Sequence, residues 1–405
     1  MENNEKLIKR IAIFYTFIMG FFQIADKMYG ASYMVKMNKQ GIDVSTIGII
    51  IAFEEFILVI SDYPSGLISD FIGRKKTAAL SMIGYGIGML LFARANNVFM
   101  YFWAMFVIAI SMAMYSGSPQ TWFYDTLVKL KVLHLREKMI PKMNGVVSGF
   151  SIISSLAAYV LISKSILWPL YLGAFITITI GILFLLFFED NKGAVEEESL
   201  ITLFVKFSSG FIKDKRMRSI VVMEMFEYTS FSIFIFVWQL YLMNQYGLKE
   251  NFISIMLVIL MAAMMFGHFI AGKLMRRTSL FITSYIGKSL IALAFIFLVF
   301  SKNLYVAIMS LILYDFACSI VGSSCSIWEN DYISSDNRAT YNSAISSIKT
   351  IMSIGVTISM GFIVNYMGYN GAWFIAVIFE ILSILALYYF ISRYEVMKEV
   401  DNVNV

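Results

Sequence analysis

The sequence predicts an all-α integral membrane protein of twelve transmembrane helices, paired off as two six-helix pseudo-repeat bundles around a central cavity. Composition is the first reason. Hydrophobic residues make up 59% of the 405 and charged residues only 15%, where a soluble domain carries about 25% charged residues. The second is the presence of twelve apolar runs, each long enough to cross roughly 30 Å of hydrocarbon. The third is a polar break midway along the chain, with a faint internal echo across it.

The runs fall at 11–34, 45–69, 77–93, 98–124, 143–163, 166–188, 219–243, 252–272, 279–300, 303–326, 341–365 and 370–392. Met1 to Arg10 is charged, but the apolar stretch behind it is too long for a signal peptide and lacks a cleavage-like site. The strongest boundary is 189–218, which opens on Glu189-Asp190-Asn191-Lys192 and closes on Lys213-Asp214-Lys215-Arg216. Within it Leu200, Leu203, Phe204, Phe207 and Phe211 recur at helical spacing, the pattern of an amphipathic helix on a membrane surface. The expected division is therefore a bundle at 1–188, a cytoplasmic linker at 189–218 and a second bundle at 219–405.

Orientation follows from the basic residues. Of the 32 Lys and Arg, six fall on one side of the runs: Lys36, Lys39, Arg94, Lys164, Lys249 and Lys302. Lys27, Lys288 and Lys349 lie inside runs, and all the others fall on the opposite set of loops. Basic loops stay in the cytoplasm, so both termini are expected there, in a multi-pass protein of the cell membrane. The net charge of +5 is spread over these loops and gives no nucleic-acid signal. Cys318 and Cys325 share one apolar run at a spacing of seven and read as packing residues.

The second and third runs are joined by Asp62-Tyr-Pro-Ser-Gly66-Leu-Ile-Ser-Asp70-Phe-Ile-Gly73-Arg74-Lys75-Lys76-Thr77. Bare charges do not remain in hydrocarbon, so this stretch reads as a short surface loop. Gly66 lets backbones approach, Gly73 permits a tight reversal, and Arg74-Lys75-Lys76 belong on the cytoplasmic side. The pattern resembles the loop between helices 2 and 3 of the major facilitator superfamily of transporters. Gly267 to Ala271 followed by Arg276-Arg277-Thr278 echoes it in the second half, without the acid and the second glycine. Such weak symmetry fits a transporter built from two repeats.

The resemblance implies a gate. It pairs Arg74 with Asp125 at the end of the fourth run, and sets Asp70 against the start of the eleventh, the segment Ser334 to Thr340 that holds Arg338. A helix N-terminus favours an acid on independent grounds. Asp62, Gly66, Gly73 and Lys75 belong to the same gate region. The fourth run carries no arginine and the fifth, with Gly145 and Gly149, no Gly-Pro pair, so the likeness to the drug-export branch of the superfamily is thin.

Enzyme constellations are lacking. His134 and His268 are the only histidines, neither is paired with a cysteine, and there is no Gly-x-Ser-x-Gly and no P-loop. An enzyme, a resident cofactor and direct use of ATP are therefore not expected. What remains are ionisable groups in apolar runs, each costly enough to need a reason. Asp26 and Lys27 diverge by about 100° around their helix, so a face-to-face pair is not expected. Asp26 reads either as a cavity group for protons or cations, or as an interfacial residue beside a snorkelling Lys27. Glu54 and Glu55 sit well inside the second run and read either as proton-exchanging acids or as hydrogen-bonded structural ones. Glu224 and Glu227 share a helix face. Glu224 reads as interfacial and Glu227 as a cavity acid, while Asp315 and Lys349 read as a structural salt bridge. Trp238 and Gln239 read as cavity lining, and the many Phe, Tyr and Met suit an amphiphilic substrate.

The expected function is secondary active transport by alternating access: proton-coupled efflux of a lipophilic or amphiphilic small molecule by a monomer. Uptake of a small polar nutrient is the alternative. A non-transporting sensor or assembly subunit is the reading from another class.

Overall fold

The computed structural model describes residues 2–189, 215–332 and 338–395, and among them all regular structure is helical. In chain order the helices are α1 (Glu2–Gly30), α2 (Tyr33–Lys39), α3 (Val44–Ile72), α4 (Arg74–Arg94), α5 (Val98–Gly117), α6 (Pro119–Lys129), α7 (Arg136–Lys164) and α8 (Leu167–Phe187). After residues 190–214, which contain most of the expected linker and lie outside the described part, come α9 (Lys215–Tyr246), α10 (Glu250–Leu274), α11 (Leu280–Phe300) and α12 (Leu304–Tyr332).

The last helical stretch, Arg338–Phe390, is broken at Gly368, whose φ of +70° only glycine adopts freely. The apolar segment that runs from it into the following turn, Ile348–Tyr394, has 47 residues, or about 70 Å at 1.5 Å per residue, more than twice the hydrocarbon thickness. The break therefore makes two crossings, α13 (338–367) and α14 (369–390). With the ten other long apolar runs this gives, among the described residues, the twelve expected spans.

Local sequence fixes most helix ends. Asp43, Asn97 and Ser279 each accept a backbone N–H three residues on, at 3.1, 3.0 and 3.2 Å, and so cap α3, α5 and α11. Pro119 has no N–H to continue α5 and instead opens α6 at its first turn, splitting the single fourth run expected from hydropathy. The expected surface loop at 62–77 is also corrected. The backbone stays helical through Ile72, and only Gly73, with φ of +99°, interrupts it. The reversal thus shrinks to one residue.

The described residues form two compact units. Unit 1 takes in those through Glu189 together with Leu248–Val258, and unit 2 takes in Lys215–Gly247 and those from Ile259 onward. In unit 1, α4 packs on α5 and α8, α1 on α7 and α8, and α3 on α5. A Cβ on Gly86 would stand 2.6 Å from Thr177 Oγ1 and 2.8 Å from the Ala174 carbonyl. The α4–α8 crossing is thus a small-residue contact, as expected where lipid removes the hydrophobic drive between helices. In unit 2, α11 packs on α12, and both α9 and α11 pack on the 338–390 stretch. Its core stacks Phe234 on Tyr314 at 3.7 Å, with Phe295 and Trp373 beside them. Large apolar side chains such as Phe175, Leu186 and Phe269 are exposed, as suits faces turned to lipid.

Lys36, placed by sequence among the solvated loop charges, is buried instead. Its ammonium donates to the Ala95 carbonyl at 2.7 Å and to Tyr101 Oη at 2.5 Å, and lies 4.6 Å from the Tyr101 ring centroid. The short helix α2 folds back against the α4–α5 turn, so that one lysine satisfies a carbonyl that has no helical partner.

Candidate functional site

Three constellations of polar groups stand out, two in unit 1 and one in unit 2. The first is at the Arg74 end of unit 1. Arg74 Nη1 pairs with Asp125 Oδ2, tying the start of α4 to α6, with the side chains 14% and 29% exposed. Lys75 Nζ donates to the Phe188 carbonyl at 2.8 Å, and Ser116 Oγ donates to Asp62 Oδ1 at 2.7 Å. Lys129 Nζ lies 2.9 Å from Glu189, whose carboxyl it holds below the usual glutamate range. Gly66 lies within α3. The side chains of Asp70 and Arg338 lie outside the described part.

The second lies deeper in unit 1. A cavity of about 510 Å³ opens between α1, the α5–α6 junction and α7, lined by Tyr15, Gln23, Tyr115, Gln120 and Asn144 among others. Every described residue lining it is uncharged. One turn beyond Gln23 is Asp26, which accepts from Tyr85 Oη at 3.2 Å and pairs with Lys27 Nζ at 3.0 Å. That pair corrects the expectation from helix geometry, because the four-carbon lysine stem folds back to reach its neighbour. Glu54 and Glu55 are half-buried on α3, with Glu54 in electrostatic reach of Asp26, Tyr29 and Tyr85. Two of the sequence candidates, Asp26 and Glu54, thus come together around buried tyrosines.

The third is a charge cluster inside unit 2. Glu227 on α9 pairs with Lys288 on α11, which is fully buried and also donates to Ser383 Oγ on α14 at 2.8 Å. Glu224, one turn earlier, pairs with Lys349 on α13 at 3.2 Å, and the same ammonium lies 5.8 Å from the Tyr228 ring centroid. The salt bridge expected between Asp315 and Lys349 is therefore replaced by Glu224–Lys349, with the Glu224 side chain 13% exposed. Helix spacing places Glu224, Glu227 and Tyr228 on one face, and tertiary packing decides which lysines meet it. Trp238 and Gln239 are buried in the same unit.

Sequence reasoning missed Glu380. Glu380 is fully buried and sits 2.7 Å from Ser230 Oγ, with its other oxygen without a hydrogen-bond partner among the described residues. The signal was available: Glu380 is the one acid within the apolar run 370–392.

Comparison with known proteins draws these features together. Residues 15–357 match the family model described as Major Facilitator Superfamily. The chain belongs to the Major Facilitator Superfamily. It is 24% identical over 249 residues to the uncharacterized MFS-type transporter YxaM of Bacillus subtilis, and spans 60% of that relative's length, with 60% of its own. Among solved structures it is similar to the nucleoside transporter NupG, at 17% identity and a TM-score of 0.75, covering 94% of this chain and 98% of that one. A POT family transporter in complex with a thioalcohol-conjugated peptide follows at 14% identity and 0.70, covering 94% and 96%. At such identities these likenesses carry the fold of the superfamily, a multi-pass all-α membrane protein.

Proposed function

We propose that this protein is a secondary active transporter of the cell membrane that moves an uncharged, amphiphilic small molecule by alternating access, driven by protons and in the direction of export. The observation that carries the reading is the cavity of unit 1. Its volume suits a drug-sized ligand. Aromatic rings supply apolar contact, the amides of Gln23, Gln120 and Asn144 supply hydrogen bonds, and no lining side chain asks for a charged solute. Asp26, Glu54, Glu55 and Glu227 are the coupling acids in this reading, with the halves 1–188 and 219–405 moving about the 189–218 linker. Asp62, Gly66, Asp70, Gly73, Arg74, Lys75, Asp125 and Arg338 form its cytoplasmic gate. The amides of the same cavity favour a second reading, uptake of a small polar solute, which differs in the sign of the flux.

A thermal-shift screen of the purified chain against matched charged and uncharged compounds tests the substrate class. Uncharged amphiphiles are expected to stabilise it, and stabilisation by charged compounds alone would reject the assignment. The strongest stabiliser then serves as the flux probe in vesicles. A proton gradient should drive its movement, and Glu54→Gln or Asp26→Asn should abolish the driven flux while leaving exchange without a gradient intact. Full driven flux in those two variants and in Glu55→Gln and Glu227→Gln would reject coupling through these acids. In inside-out vesicles, accumulation of the probe under an inside-acid gradient supports export. Accumulation in right-side-out vesicles under an outside-acid gradient supports uptake.

The proposed orientation is checked separately, in a chain lacking Cys318 and Cys325. Asn96→Cys is expected to react with an impermeant thiol reagent in intact cells, and Lys131→Cys only after the membrane is opened. Reaction of Lys131→Cys in intact cells would overturn both the topology and the cytoplasmic gate.

A further inference from the structure

We propose that Glu380 is a proton-exchange site within unit 2, and that the Ser230 hydroxyl is the hydrogen-bond switch that serves both of its charge states. This rests on the proton-driven reading above and adds to it an acid that sequence gave no role.

Glu380 is fully buried on α14. The two lysines of the cluster are engaged elsewhere: Lys288 with Glu227 and Ser383, Lys349 with Glu224. Among the described residues no cation pairs with Glu380, and its Oε1 has no hydrogen-bond partner. A bare half-charged oxygen is costly at such a place, whereas the carbonyl oxygen of a neutral carboxylic acid is tolerated far better.

Ser230 Oγ supplies the second observation. It lies 2.7 Å from Glu380 Oε2 and 2.8 Å from the Glu227 carbonyl oxygen. A hydroxyl has one hydrogen and cannot donate to both. When Glu380 is ionised, Ser230 donates to it. When Glu380 carries a proton on Oε2, that O–H donates to Ser230 Oγ, and the serine hydrogen turns to the Glu227 carbonyl. The Ser230–Glu380 contact is kept in both states with every heavy atom in place, and Oε1 is the oxygen that the neutral form leaves uncharged. One O–H bond forms on Oε2 when a proton arrives from water and breaks when it leaves, and no other bond changes.

The titratable groups that face Glu380 are Glu227 on α9, Lys288 on α11, and Tyr314 and Cys318 on α12. Ser230 Oγ lies within hydrogen-bond distance of both the Glu380 carboxyl and the Glu227 carbonyl.

Infrared difference spectroscopy of the full chain in liposomes, stepped in pH, reads this directly. Wild type is expected to show a carboxylic-acid carbonyl band that appears on acidification. Glu380→Gln, which keeps shape and loses the proton site, should remove one component of that band, the component then followed in Ser230→Ala. Ser230→Ala should keep the band but move its frequency, because the acid loses its acceptor. A band unchanged in Glu380→Gln overturns the proposal, as does one that responds to sodium at constant pH, which marks a cation site. Should Glu380→Gln not fold, an unmoved band in Ser230→Ala overturns it alone. The spectrum needs no substrate, so it separates the two ideas. Loss of the band in Glu380→Gln together with absent gradient-driven flux in wild type would keep this site and reject the transport reading.

Discussion

Lys288→Met is expected to destabilise the protein by about 3–5 kcal/mol, the largest effect we anticipate from a single substitution. The ammonium is fully buried and bonds to both Glu227 and Ser383, while Glu227 is 29% exposed on its side chain. Methionine fills the space of the lysine stem, so the loss comes from the carboxylate left without its cation in a low-dielectric site, not from a cavity. The double variant Lys288→Met/Glu227→Gln removes both charges and should recover most of the loss, since a neutral pair carries no uncompensated charge. Thermal unfolding followed by tryptophan fluorescence measures both. Equal destabilisation in the single and double variants would show that packing, and not the charge pair, holds α9 to α11.

Arg74→Ala should weaken the state in which α4 and α6 are tied by about 1–3 kcal/mol, because Asp125 is left unpaired in a partly buried place. In the proposed gate, a bias of that size shifts a two-state equilibrium by about 5- to 150-fold and slows turnover without unfolding the chain. Arg74→Lys keeps the charge but not the planar fork, so it should recover only part of the loss. Spin-label distances between sites near Gly73 and Arg277 follow the conformational state, and probe flux follows turnover. If Arg74 serves only as a topological charge, Arg74→Lys is silent, Asp125→Ala has no effect, and the distance distributions of Arg74→Ala match wild type.

The spans were legible because crossing a bilayer is a property of contiguous composition: about twenty apolar residues suffice, whatever they touch. The caps at Asp43, Asn97 and Ser279 were equally local, each reaching only three residues along. The errors arose where the decisive contact is distant or where one residue overrides a run. Pro119 split a span that hydropathy read as continuous. Lys36 looked like a loop charge because its acceptors, Ala95 and Tyr101, lie 59 and 65 residues away.

The reach of a contact along the chain decides which features of this protein are local and which are not. Its sequence alone determined the membrane class, the number of crossings, the reversal at Gly73 and the list of acids and bases that hydrocarbon makes expensive. Tertiary structure alone decided the partners: Lys288 for Glu227 across 61 residues, Lys349 for Glu224 rather than Asp315, and Ser230 for Glu380 across 150. The reason is that a helix presents its side chains on a fixed period, which sequence shows. The rotation of each helix against its neighbours is set by packing summed over many contacts, and only that rotation chooses which buried charge meets which.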